Sequence, residues 1–85
     1  MMVSNDEVLE TLRNYLNELF EIPKEDIVLA SDLNKDLGLD SIDAVDLMLK
    51  LQDYMGRKIS PEEFRSVRSV GDLVARVHEH IAARS

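Results

Sequence analysis

Apolar residues recur at helical spacing in several stretches of this 85-residue chain, and no segment alternates apolar and polar positions in the manner of a strand. Val8, Leu12, Tyr15, Leu16 and Leu19 form the first such set, behind a Ser4–Glu7 pair spaced as a capping box. That spacing predicts a helix to about Phe20, with Pro23 as its stop. A second helix is expected to begin at Asp40 or Ser41 and to run through Ile42, Val45, Leu47, Met48, Leu49, Leu51, Tyr54 and Met55, with Gly56 as C-cap. Its apolar stripe is unusually wide. The run "SPEEF" places Ser60 at N-cap and Pro61 at the first helical position of a short helix carrying Phe64, followed by Val67. Ser69 with Asp72 then opens a last helix whose face holds Val70, Leu73, Val74, Val77 and Ile81. The pattern predicts an all-α chain, a small four-helix bundle with a long loop between helices one and two and a short third helix.

The connection from Glu21 to Leu39 is long for so small a protein, and loops of that length are usually functional or disordered. Ile22, Ile27, Leu29, Leu33 and Leu37 favour order, because they could pin the crossover over the ends of the helices. No internal repeat or low-complexity tract divides the chain, so residues 1–85 are read as a single domain.

Composition narrows the picture. Two Phe, two Tyr and no Trp leave an aliphatic interior with Met as filler, and the absence of Cys excludes disulfides and thiolate metal sites. The N-terminal stretch has neither the basic nor the apolar region of a secretory signal, and no apolar run reaches membrane-spanning length. A cytoplasmic monomer without membrane insertion is the expectation. The net charge of −7 argues against a nucleic-acid partner, since phosphate neutralisation needs clustered Lys and Arg. Through Met55 there are thirteen acidic residues against four basic, and from Gly56 onward four against six. An acidic front end would attract basic partner surfaces in a salt-dependent way.

Ser41 is the candidate for chemistry. Neither His78 nor His80 is near it in sequence to act as a base, and the two histidines are two residues apart, so they cannot share a helix face as a metal pair. With no glycine-rich phosphate loop or ligand cluster either, the chain is read as a non-catalytic substrate of other enzymes. Ser41 falls in the first turn of the second helix, with Asp40 at N-cap, so its hydroxyl faces solvent where the macrodipole and unpaired N–H groups would offset a phosphate ester. Gly38 would give the backbone freedom for an enzyme to approach.

The stretch "DLGLDSIDAVDLMLKLQDYM", within a likeness that extends from the capped first helix through "ISPEEF" to the last helix, resembles the signature of stand-alone, type II acyl carrier proteins. The resemblance implies that Ser41 carries 4'-phosphopantetheine, attached covalently from coenzyme A, and that acyl intermediates travel on it as thioesters between fatty-acid or polyketide-type synthesis enzymes. Asp40 would join Ser41 in the recognition core, and Ile42, Asp43, Asp46 and Leu49 would form the partner-facing surface. The interior sheltering an acyl chain would be lined by Val45, Met48, Leu51, Met55, Ile59, Phe64 and Val74. Implied partners are a phosphopantetheinyl transferase and the acyl transferases, ketosynthases, reductases and dehydratases of a type II pathway.

Departures from that pattern carry information. Ile42 replaces the usual Leu, Gln52 stands where an acid is common, and Arg57, Lys58, Arg65 and Arg68 make the third-helix region basic. They point to a specialised carrier of secondary or lipid-modifying synthesis, with Phe64 narrowing the cavity mouth. Two alternatives stand beside this reading. A peptidyl or aminoacyl carrier would share the fold and the serine. Calcium binding is the other, because Asp32, Asn34, Asp36, Asp40 and Asp43 fall at EF-hand positions 1, 3, 5, 9 and 12, although Leu37 occupies the position of the invariant glycine.

Overall fold

Every long helix begins where a side-chain oxygen takes over orphan backbone donors. A computed structural model describes residues 4–84, with side chains described through residue 82. Helix α1 spans Asn5–Phe20, α2 Ser41–Met55, α3 Pro61–Arg65 and α4 Val70–Arg84. Ser4 accepts from Glu7 N–H at the start of α1 and Ser60 from Glu63 N–H at the start of α3. Asp40 and Asp43 form a reciprocal capping box on α2. At α4, Ser69 Oγ accepts from Asp72 N–H while Asp72 Oδ2 accepts from Ser69 N–H. No strand occurs among the described residues, only an isolated antiparallel bridge between Asp32 and Ser69.

Helix α1 ends otherwise than the proline predicts. Glu21 takes a left-handed conformation at φ 57°, its N–H returns to Asn17 C=O, and Ile22 N–H reaches Leu16 C=O. The helix is therefore closed by a left-handed cap, and Pro23 lies two residues past it, where it only prevents resumption. Gly56 caps α2 at φ 67°, as expected.

Helix α1 packs against α4 and α2, and α2 against α4. Val8, Leu12 and Leu16 from α1, Leu47, Leu51 and Met55 from α2, and Val70, Leu73, Val74 and Val77 from α4 close the core, with Ile59 and Phe64 filling the end near α3. Each fully buried side chain of this size contributes about 1.5–3 kcal/mol relative to its exposed state. Tyr15 and Tyr54 meet edge to face with ring centroids 6.0 Å apart and tie α1 to α2. Burial, then the neighbouring Tyr54, Asp53 and Glu18, push the Tyr15 phenol above its usual pKa. Leu19, read from spacing as a core position, is 41% exposed, because it lies at the edge of the α1 stripe.

The long connection is ordered by backbone pairing to the segment that enters α4. Leu33 N–H donates to Arg68 C=O, Val70 N–H to Ser31 C=O and Gly71 N–H to Leu29 C=O, each at 2.9 Å. A 3-10 turn over Lys24–Asp26, absent from the periodicity, lets Ile27 drop into the core, and Arg13 Nε donates to its carbonyl at 2.7 Å. Ile27 and Leu33 are buried, Ile22 and Leu37 half-buried, and Leu39 adds a further buried anchor. Leu29 does not pin the crossover. Its side chain is 53% exposed, and it is its carbonyl that makes the attachment to Gly71.

Candidate functional site

The polar end of the bundle around Ser41 follows from local geometry. Residues Asp32 to Leu39 wind into a tight turn in which Leu37 N–H donates to Asp32 C=O, Gly38 N–H to Asn34 C=O and Leu39 N–H to Leu33 C=O. Gly38 sits at φ 71° in this turn, so the glycine supplies a left-handed conformation within an ordered segment rather than a loose hinge. Leu39 is buried and anchors the chain directly before Asp40. Asp40 then swings into extended backbone and its Oδ1 accepts from Ile42 N–H at 3.0 Å and Asp43 N–H at 2.9 Å.

Ser41 is left at the first position of α2, exposed. Its hydroxyl makes no hydrogen bond among the described residues. Every other described serine is engaged: Ser4, Ser60 and Ser69 cap helices, Ser31 donates to Asp26 C=O from a buried position, and Ser66 donates to Glu63 C=O. Because Asp40 accepts from Ile42 and Asp43 N–H with its side chain and from Ala44 N–H with its carbonyl, most of the orphan donors expected to cradle a phosphate are already committed. A phosphate ester on Ser41 would project outward from this exposed position, its charge eased by the helix dipole.

On α2 the wide stripe resolves into two faces. Leu47, Leu51 and Met55 point inward, one turn apart, while Ile42, Val45 and Leu49 are 74%, 50% and 56% exposed on an outward row. Val45, expected inside, therefore belongs at the cleft mouth and the outer surface: it lies three residues past Ile42 and four before Leu49. Asp46 is exposed beside this row, and Asp43, half-buried, turns one carboxylate oxygen back toward Asp40 N–H at 3.4 Å.

Between the 32–39 turn, α2 and α3 lies a cleft of about 640 Å³ with Ser41 on its border. Val45, Met48 and Phe64 line it together with Leu33, Leu39, Ala44, Leu47 and Val67. Leu51, Met55, Ile59 and Val74 are buried but do not line this cleft; they form the packed core behind it. Lys35, Arg65 and Arg68 border the opening, a feature the basic character of the third-helix region hinted at without showing that Lys35 joins it.

Helix α3 is braced from α4. His80 Nε2 and Glu63 Oε1 are 2.8 Å apart and Arg76 lies at 4.0 Å from the same oxygen. His80 is accordingly a structural contact between helices rather than a solvated surface residue.

The EF-hand alternative does not survive the geometry. Asp32 Oδ1 accepts from Asn34 and Lys35 N–H, Asp36 Oδ2 from Asp32 N–H, and Asp40 caps α2, so these carboxylates turn into the backbone rather than toward a common centre. Donation by Lys35 N–H is also the leading cause that holds Asp32 below its ordinary pKa, with Asn34 N–H and the Lys35 and Arg68 charges adding to it. Among the described residues no group of three or more His, Cys, Asp or Glu side chains could hold a metal ion. No helix of the described residues is long and apolar enough to cross a membrane.

Known proteins resemble this chain over most of its length. The family pattern described as a phosphopantetheine attachment site matches residues 10–77. The chain is 46% identical over 81 residues to "Acyl carrier protein 2" of Ralstonia nicotianae, covering 95% of this chain and 100% of that protein. The crystal structure of an acyl carrier protein from Thermotoga maritima superposes with a TM-score of 0.84 at 25% identity, over 95% of this chain and 94% of that one. An acyl carrier protein from Enterococcus faecalis superposes with a TM-score of 0.76 at 26% identity, over 92% and 99% of the two chains.

Proposed function

Because this chain belongs to the phosphopantetheine-attachment family of acyl carrier proteins, and so carries acyl groups on that prosthetic group for fatty-acid or polyketide-type synthesis, we propose that Ser41 is its point of attachment. The observation that carries the assignment is the free, exposed hydroxyl of Ser41 at the start of α2, where the other described serines are tied into hydrogen bonds. When bound, 4'-phosphopantetheine supplies a terminal thiol on a flexible arm, which holds acyl groups as thioesters.

The chain's own residues do the rest. Asp40 fixes the first turn of α2 so that Ser41 is presented to an incoming transferase in one orientation. Ile42, Val45 and Leu49, flanked by Asp43 and Asp46, form a docking row on which an apolar contact is framed by acidic side chains. Basic surfaces of a phosphopantetheinyl transferase and of type II acyl transferases, ketosynthases, reductases and dehydratases would meet this row. Each exposed ion pair there is worth about 0.2–1 kcal/mol, so encounters are fast and release is fast, as a shuttle requires. The chain acts as a substrate of these enzymes and performs no catalysis itself, working as a cytoplasmic monomer. The peptidyl-carrier alternative has less support, since the relatives named above are acyl carriers.

Incubation with coenzyme A and a phosphopantetheinyl transferase, followed by intact mass measurement, tests the assignment. The wild-type chain should gain one phosphopantetheinyl group and Ser41→Ala none. A gain of equal extent in both would refute it.

A further inference from the structure

The cleft beside Ser41 has a floor and a rim of opposite character. Phe64, buried, and Met48, half-buried, give it an apolar base, whereas Lys35, Arg65 and Arg68 line it as exposed residues at its opening. In a chain of net charge −7 this cluster stands out, because the fold adds Lys35 from the long connection to the neighbouring pair Arg65 and Arg68. None of the three cations forms a salt bridge within 4.0 Å among the described residues. Two carboxylates also line the cleft, each anchored through one oxygen at its wall, so three cations stand against two fixed anions there. Asp32 accepts from the N–H groups of Asn34 and Lys35, and Asp40 from those of Ile42 and Asp43. The excess of cations over carboxylates favours an anionic ligand, and the volume is that of a small-molecule site.

We propose, resting on the Ser41 reading, that this cleft holds acyl cargo that itself bears a carboxylate, with Arg65, Arg68 and Lys35 as the residues that select it. An apolar acyl body lies over Met48 and Phe64 while its free carboxylate meets the cationic rim. Guanidinium groups suit this role because they bind carboxylates in a planar, two-pronged geometry and stack on apolar surface. A purely hydrocarbon acyl group would gain the floor and forgo the rim. The occupant is cargo rather than an acidic protein surface because the cations border a concavity that opens beside the serine bearing the arm.

Two coenzyme A thioesters of equal carbon length, hexanoyl and adipoyl, are loaded by a substrate-tolerant phosphopantetheinyl transferase onto the full wild-type chain, an Arg65→Gln/Arg68→Gln variant and Lys35→Gln. Intact mass reports loading first. Absence of loading on the wild-type chain sinks the Ser41 reading and this proposal with it. On loaded protein, release by hydroxylamine is measured relative to the same thioester on coenzyme A, and amide and arginine side-chain NMR shifts are recorded. The adipoyl form should be released roughly two- to fivefold more slowly than the hexanoyl form at low salt, as expected for exposed ion pairs. It should also shift the Arg65 and Arg68 signals. Both effects should shrink in the variants and at high salt, with helical circular dichroism unchanged. Equal protection of the two cargoes without arginine shifts, in a chain that loads normally, would overturn the proposal alone and leave the rim to an acidic partner.

Discussion

Ser41 is available because Asp40 is not. At α1, α3 and α4 a serine hydroxyl caps the helix, but at α2 the carboxylate of Asp40 performs that task and the serine moves one position inward with its hydroxyl unused. This division of labour was legible in the sequence, since an Asp followed by Ser and an acid three residues past the Asp fits a capping box. The function of Gly38 was not. Its composition suggested freedom, whereas the structure uses its positive φ of 71° to close the turn that delivers Leu39 and Asp40. No atom lies within 4 Å of where a Cβ would sit, so a substitution there meets backbone strain and no clash. Gly38→Ala should therefore destabilise the fold by about 1 kcal/mol, lowering the midpoint of thermal unfolding by about 4–8 °C. An unchanged midpoint would show that the turn does not hold this conformation.

At the scale of elements, helix positions were readable because caps and periodicity are local signals, and the four starts follow them. What escaped was the phase of residues at the margins of a stripe. Val45 and Leu19 have the same chemistry as their buried neighbours, and only the placement of the opposing helices decides that they face outward. The bracing of α3 was also beyond reach, because Glu63 and His80 are 17 residues apart. Helix α4 offers a test of cap electrostatics. Donation from the N–H groups of Arg68 and Ser69, and from the Ser69 hydroxyl, holds the Asp72 carboxyl below the usual range. A carboxyl depressed in the folded state adds stability above its unfolded pKa of about 3.9, and that contribution is lost as pH falls through the lower folded value. Asp72→Asn should accordingly be less stable than wild type at pH 7, with the difference shrinking as pH falls below about 4. Urea unfolding across that range measures it, and a pH-independent gap would contradict the cap.

Across the whole molecule, the exposed apolar row of α2 and the cations of the cleft lie at the end that holds Ser41. The acidic excess before Gly56 was plain in the sequence, as was the basic turn of balance after it. Their spatial consequence was not, because Lys35 reaches the rim beside Arg65 and Arg68 only when the long connection is fastened along the entry to α4. The cleft, the outward row of α2 and Ser41 lie together at one end of the bundle, the end to which the proposed function is assigned. That arrangement depends on a single attachment point. Trypsin cuts after Lys35 and Lys50, and the peptide between them contains Ser41 as its one hydroxyl-bearing residue. Fragmentation of that peptide, after the chain has been loaded from coenzyme A, should locate the added group on Ser41. Finding the peptide unmodified and the group elsewhere on the chain would contradict the account at its centre.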